Sequence, residues 1–153
     1  MPSAPDKVYA GNYEHLDHTA DVQFHAWGQG MAKALEALGE CLFDYVTEIV
    51  KIDEDANWSK AFDVEGDDAH KFIFRYLDEL LYKFVGEETA IRTVRVALHA
   101  WGADGYKASV RTTGEKWDLA KHPQGTEVKA ITYSAMQIHE KPDRCDLYVI
   151  VDI

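Results

Sequence analysis

Leu147-Tyr148-Val149-Ile150-Val151, running into Asp152-Ile153, is apolar on both of its alternating faces. A strand of that kind is flanked by protein rather than water, so it reads as the central strand of a sheet. The other segments arrange themselves around it. Val22, Phe24 and Ala26 alternate with Gln23, His25 and Trp27, the period of a half-buried strand. Val94, Val96, Leu98 and Ala100 alternate with Arg95, Ala97 and His99. Ala103-Asp104-Gly105 then supplies a hairpin turn, and Tyr106, Ala108 and Val110 continue on the return. Residues 60–65 alternate weakly, and Glu127 to His139 reads as one long strand.

Two segments carry a helical period instead. Met31, Leu35, Leu38, Leu42, Tyr45 and Ile49 step by four and three, with Lys33, Glu36, Glu40 and Glu48 on the other face. That spacing predicts a helix over about Met31 to Val50. A second helix is expected over about Ala69 to Val85, with Gly66-Asp67-Asp68 ahead of it and Gly86 behind. Its stripe of Phe72, Ile73, Tyr76, Leu77, Leu80, Leu81 and Phe84 is wide enough to lie across a sheet. The economical architecture is α+β: two helices packed on one mostly antiparallel β-sheet. One domain is expected at residues 12–153, after a flexible lead at 1–11 that holds Pro2, Pro5 and Gly11.

Composition narrows the function. Hydrophobic residues at 46% and charged residues at 28% belong to a folded chain rather than a disordered one. A net charge of −11 repels a phosphate backbone, so strong direct nucleic-acid binding is not expected. Metal ions and basic protein surfaces are the natural partners. No apolar run reaches membrane-spanning length. Cys41 and Cys145 lie in no ligand-like spacing, and the first residues hold no apolar signal core. A reducing compartment, cytoplasm or nucleus, is therefore expected.

Three places carry chemistry. Asp152 sits one residue past the central strand, beside the α-carboxylate of Ile153. At ~4–5 Å and an effective dielectric near 20, two carboxylates repel by roughly 3–4 kcal/mol, which a cation relieves. The competing reading is that both groups face water as ordinary chain ends. Next, His15-Leu16-Asp17-His18-Thr19-Ala20-Asp21 holds two histidines and two aspartates just before a strand. His15, His18 and Asp21 are spaced to surround a metal, or Asp21 with other carboxylates suits Ca²⁺ or Mg²⁺. The plain alternative is a polar turn. Last, Lys121-His122-Pro123-Gln124-Gly125 is a tight loop, and Lys121, His122 and Lys129 are cations that suit a phosphate or an acidic partner. Solvated charges on a hairpin are the alternative there. Neither Ser134 nor Cys41 has an evident base, and no phosphate-binding glycine loop or hydrolase elbow occurs.

Tyr13 to Val22, Leu77-Asp78-Glu79-Leu80-Leu81-Tyr82-Lys83-Phe84, Lys121 to Gln137 and the final Val151-Asp152-Ile153 together closely resemble the archease family, in an animal or other eukaryotic form. The order and spacing of all four agree, and the likeness runs from about Tyr13 to the last residue. The resemblance implies a protein cofactor of an RtcB-type RNA ligase, or of a tRNA ligase complex, rather than an enzyme. In that role it promotes guanylylation and multiple turnover of the ligase in tRNA splicing and in messenger ligation during the unfolded-protein response. It further implies a divalent metal, Ca²⁺ or Mg²⁺, on Asp21, Asp152 and Ile153, with His18, Lys121, His122 and Lys129 as supporting or partner-contacting residues. A monomer is expected. The competing class is an independent metal-dependent phosphohydrolase using His18, Asp21 and Asp152, with His15 in the same site.

Overall fold

The computed structural model describes residues 8–17 and 20–153. Its elements run β1 (Tyr13–Asp17), β2 (Asp21–Gly28), α1 (Met31–Val46), β3 (Lys60–Gly66), α2 (Ala69–Val85), β4 (Thr89–Gly102), β5 (Gly105–Lys116), β6 (Ala130–Ile131), β7 (Gln137–Glu140) and β8 (Cys145–Asp152). Single 3-10 turns lie at Ile49–Lys51 and Ala56–Trp58.

β8 is central, as its two apolar faces require. The larger sheet runs β1-β2-β8-β6, with β7 also on β8, and every pairing is antiparallel. Cys145, Leu147, Val149 and Val151 of β8 and Val22, Phe24 and Ala26 of β2 are buried. The alternate residues, among them His25, Tyr148, Ile150 and Asp152, lie on the other face. β3, β5 and β4 form a second, three-stranded antiparallel sheet. The α+β class is as expected, while the strands divide between two sheets rather than joining in one.

The division has a local cause. β4 presents one border to α1, and helix carboxylates take up its backbone donors. Glu36 Oε2 accepts the Val96 N–H at 3.0 Å, and Glu40 accepts the Val94 N–H. Two donors of that border are thus taken, and the border does not extend into the larger sheet.

α1 buries Met31, Leu35, Leu38 and Leu42, packing on β2 and along β4. It ends at Val46, four residues short of the expected boundary. Thr47 turns to extended backbone and its hydroxyl donates to Pro123 O at 2.7 Å. The loop beyond supplies the missing donors: Gly125 N–H reaches Val46 O at 2.9 Å and Thr126 N–H reaches Tyr45 O at 3.2 Å. A Cβ on Gly125 would stand 2.4 Å from Tyr45 O, which is why this loop needs glycine there. α2 matches its expected limits. Asp68 Oδ1 accepts the Lys71 N–H at 2.8 Å at one end, and Gly86 closes the other. No helix among the described residues is long and apolar enough to cross a membrane.

The long strand expected over Glu127 to His139 is broken. Only 130–131 and 137–140 pair, at opposite ends of β8. Between them the Thr132 hydroxyl donates to Ile150 O at 2.7 Å, and Ala135 adopts φ +47°. A left-handed residue in that position cannot continue a ladder.

Candidate functional site

The β2–β8 register sets the geometry of the candidate site. Asp21 lies opposite Asp152, Val22 opposite Val151, and the pairing runs on to Gly28 opposite Cys145. Because side chains alternate, Asp21 and Asp152 share the face turned away from the helices, at the end where β2 begins and β8 stops. Directly opposed antiparallel residues bring their Cβ atoms to roughly 4.5–5.5 Å, and like charges there repel. Asp152 is exposed and Asp21 half-buried. Among the described residues neither carboxylate has a hydrogen-bond or ion-pair partner. Ile153 follows with its side chain packed on the core, which holds its main chain at the same rim. On the far side Lys129 N–H donates to Asp152 O at 2.8 Å.

This donor set consists of oxygen atoms, and it fits a hard cation such as Ca²⁺ or Mg²⁺ better than zinc. Among the described residues no three His, Cys, Asp or Glu side chains gather as a metal cluster. Main-chain oxygens and water would therefore have to complete the shell around two carboxylates. His18 lies outside the described residues. His15 does not join the group. It is 1% exposed, on the core side of β1, with Nε2 3.0 Å from Cys41 O and its ring against Tyr45 and Phe24. The expected His15–His18–Asp21 spacing is thus split by strand alternation, which sends His15 inward and Asp21 outward. Asp17, also on the inward side, is hydrogen-bonded to the hydroxyl of Tyr45.

Two side chains of the 121–129 loop, Lys121 and His122, are bonded within the protein. His122 is buried and stacks on Trp117 at 5.2 Å. Its Nδ1 accepts the Asp118 N–H at 3.0 Å, which leaves Nε2 to donate to Glu115 at 2.8 Å. Lys121 bonds Asp53 and Glu115. These two residues hold the loop rather than present free charge. Lys129 enters the site description only through its backbone.

One cluster was not anticipated. His25, 8% exposed on the open face, has Nδ1 2.7 Å from Glu14 Oε2 and Nε2 2.7 Å from Asp146 Oδ2. It stacks on Tyr148 at 4.2 Å, and Arg144 bonds Asp146 while lying 5.0 Å over Trp27. The group staples β1, β2 and β8 together. Only the register, with Glu14 opposite His25 and His25 opposite Tyr148, brings these residues into one place.

Two carboxylates here set an acid limit. Burial disfavours the Glu115 charge, but bonds from Lys121, the Asp53 N–H and His122 prevail and hold its carboxyl at about 2. Bonds from Arg144, opposed by burial and helped by His25, hold Asp146 at about 2. Both values are depressed, so the stability they add is present above the ordinary values of 4.5 and 3.8 and is lost as pH falls toward 2. Each side chain is under a fifth exposed, and each contributes roughly 2–3 kcal/mol. Urea midpoints followed from pH 7 down should therefore drop in acid. Arg144→Ala and Lys121→Met should each flatten that drop while lowering the neutral-pH midpoint. Unchanged pH slopes in both would refute the assignment.

Fold and site together define a small, acidic α+β domain whose opposed carboxylates crown the end of its central strand. The archease protein-family model matches residues 13–153, and the chain belongs to that family. It is 41% identical over 145 residues to an archease-like protein of Drosophila melanogaster, covering 92% of this chain and 90% of that one. An archease of Danio rerio is 42% identical over 144 residues, with 92% and 85% covered, and one of Pyrococcus abyssi 34% over 131, with 86% and 90% covered. The solution structure of a Methanobacterium thermoautotrophicum protein shares the fold with TM-score 0.74 at 24% identity, covering 93% of this chain and 99% of that one. A Thermotoga maritima archease described as a possible chaperone shares it with TM-score 0.52 at 20% identity, covering 90% and 94%.

Proposed function

We propose that this chain is a metal-binding accessory factor of an RtcB-type RNA ligase, or of a tRNA ligase complex, and not itself an enzyme. It promotes guanylylation and repeated turnover of the ligase in tRNA splicing and in unfolded-protein-response messenger ligation. Family membership supports the class of protein, and one observation carries the site: Asp21 stands opposite Asp152 at an open rim. Asp21, Asp152 and the main-chain oxygens of Ile153 would hold Ca²⁺ or Mg²⁺, and the ion when bound supplies a compact positive charge. The chain's own part is to fix the oxygens. The strand register sets the carboxylate spacing, and the Ile153 side chain, anchored on the core, keeps the last residue in place.

Cys41 and Cys145 are buried and, among the described residues, form no disulfide, which suits a reducing compartment, and we place the protein in cytoplasm, nucleus or both. It acts as a monomer in this reading. An independent phosphohydrolase is disfavoured by the burial of His15, which removes one of its histidines from the site. The test is a ligation time course with ligase below substrate, with and without this protein. Repeated turnover that depends on the added protein supports the proposal. Identical curves, or phosphoester hydrolysis by this protein alone, refute it.

A further inference from the structure

The surface where the end of α2 meets the loop after β5 carries two adjoining hollows. One is a cup of about 190 Å³ lined by Val46, Phe84, Val85, Trp117, Leu119 and Val128. The other is a broader basin of about 610 Å³ bearing Asp55, Glu88, Glu115 and Asp118, with Lys116 and Lys121. Trp117 and Leu119 line both, so the two form one groove. Val85 is 67% exposed and Leu119 64%, and Tyr82, one turn before Val85 on α2, is 55% exposed. Large apolar side chains left in water in one contiguous place mark an interaction surface. The rigid wall behind them is Trp117, fixed between the edge of Phe84 at 4.9 Å and the face of His122.

We propose that this groove docks a segment of a partner protein that joins a bulky apolar residue to neighbouring lysines or arginines. The apolar residue enters the cup, and the cations lie over the basin. Charge selects this occupant. The basin holds four carboxylates against two lysines, and Lys121 is already paired with Asp53 and Glu115. Glu88 carries no such partner among the described residues and is exposed. A nucleic-acid backbone would meet repulsion there. A second copy of this chain, at net charge −11, would bring the same sign. The groove borders the end of α1 through Val46 and Thr126, and its Val128 lies one residue before Lys129, whose N–H donates to Asp152 O. The inference does not depend on the identity of the partner enzyme.

The experiment selects a randomised peptide library displayed on phage against the wild-type protein, with Leu119→Asp as the counter-selection. Enriched peptides are then titrated against ¹⁵N-labelled protein. Expected is enrichment of an apolar residue next to Lys or Arg, with resonance shifts centred on Val85, Trp117 and Leu119. Affinity should fall as salt rises. Leu119→Asp and Val85→Asp change exposed side chains, and each should weaken binding about tenfold or more, as loss of an anchor does. Glu88→Lys tests the charge separately and should weaken basic peptides alone. The proposal is overturned by peptides that bind wild type and Leu119→Asp equally, by an enriched set without cations, or by shifts that map elsewhere. It is also overturned if the wild-type chain self-associates and Leu119→Asp makes it monomeric.

Discussion

Asp152→Asn and Asp21→Asn should each return ligation, with ligase below substrate, to the rate of the ligase alone. Asparagine keeps the shape of the side chain and the strand register, and both positions lie at the solvent-facing rim, so the fold should persist. Solvent screens the repulsion at the rim well below the figure for a shielded pair. Removing one of two opposed like charges there gains about 0.2–1 kcal/mol. Without added metal the variants should thus unfold at the same temperature as wild type or slightly higher. With Ca²⁺ or Mg²⁺ the order should reverse, because only the wild type gains stability from the ion. Loss of a direct ligand should weaken metal binding by at least the roughly 10–100-fold that loss of a ligand's supporting partner costs. Full stimulation of turnover by both folded variants would eliminate the proposed role of the pair. Equal metal-induced stabilisation would eliminate the metal site itself.

Gly114→Ala should be the most damaging small substitution in the chain. Gly114 lies buried on β5 opposite Ile91, beside a register shift in the β4–β5 pairing. An added Cβ would sit 1.9 Å from Ala90 O and 2.9 Å from Ile91 Cα. Those are backbone atoms of the paired strand, so no rotamer change relieves the clash. The ladder must shift or part, and a shift would turn Val94 and Val96 away from the core. Overpacking that side chains can absorb costs roughly 1–3 kcal/mol. This case should exceed that range and remove a large share of the ~5–15 kcal/mol that holds a domain folded. Gly30→Ala is the control. Gly30 has φ +97° and ψ 164°, a region essentially confined to glycine, but open space around it, so its cost should stay near the roughly 1–3 kcal/mol of such backbone strain. Urea midpoints would show the contrast, and similar midpoints for the two variants would contradict it.

The legible parts of this fold were those fixed by local pattern. α2 announced itself through a wide stripe, Asp68 at its start and Gly86 at its end, and it runs over the residues expected. β8 announced its centrality by having no polar face in its middle. What escaped the sequence was decided by contacts between distant segments. β1 looks like a polar turn in its own residues. It is a strand because Tyr13 and His15 face a core built from α1 and β2. The break between Ile131 and Gln137 turns on Ala135 at φ +47°, which no local periodicity encodes. The acid pair was half legible. Strand ends placed Asp21 and Asp152 at sheet margins, but their opposition needed the order of strands. His25 gave no sign of its two carboxylate neighbours, because Glu14 and Asp146 reach it from separate strands.

The outer border of β4 has a consequence for how copies of this chain treat one another. A fourteen-residue strand at a sheet margin would normally be an open template for another molecule's strand. Here the helix spends two of its own acids on that seam, and burial raises the proton affinity of one of them, Glu40. Two donors of that margin are already taken by this chain's own acids, so a strand from another copy meets a seam that is partly occupied before it arrives.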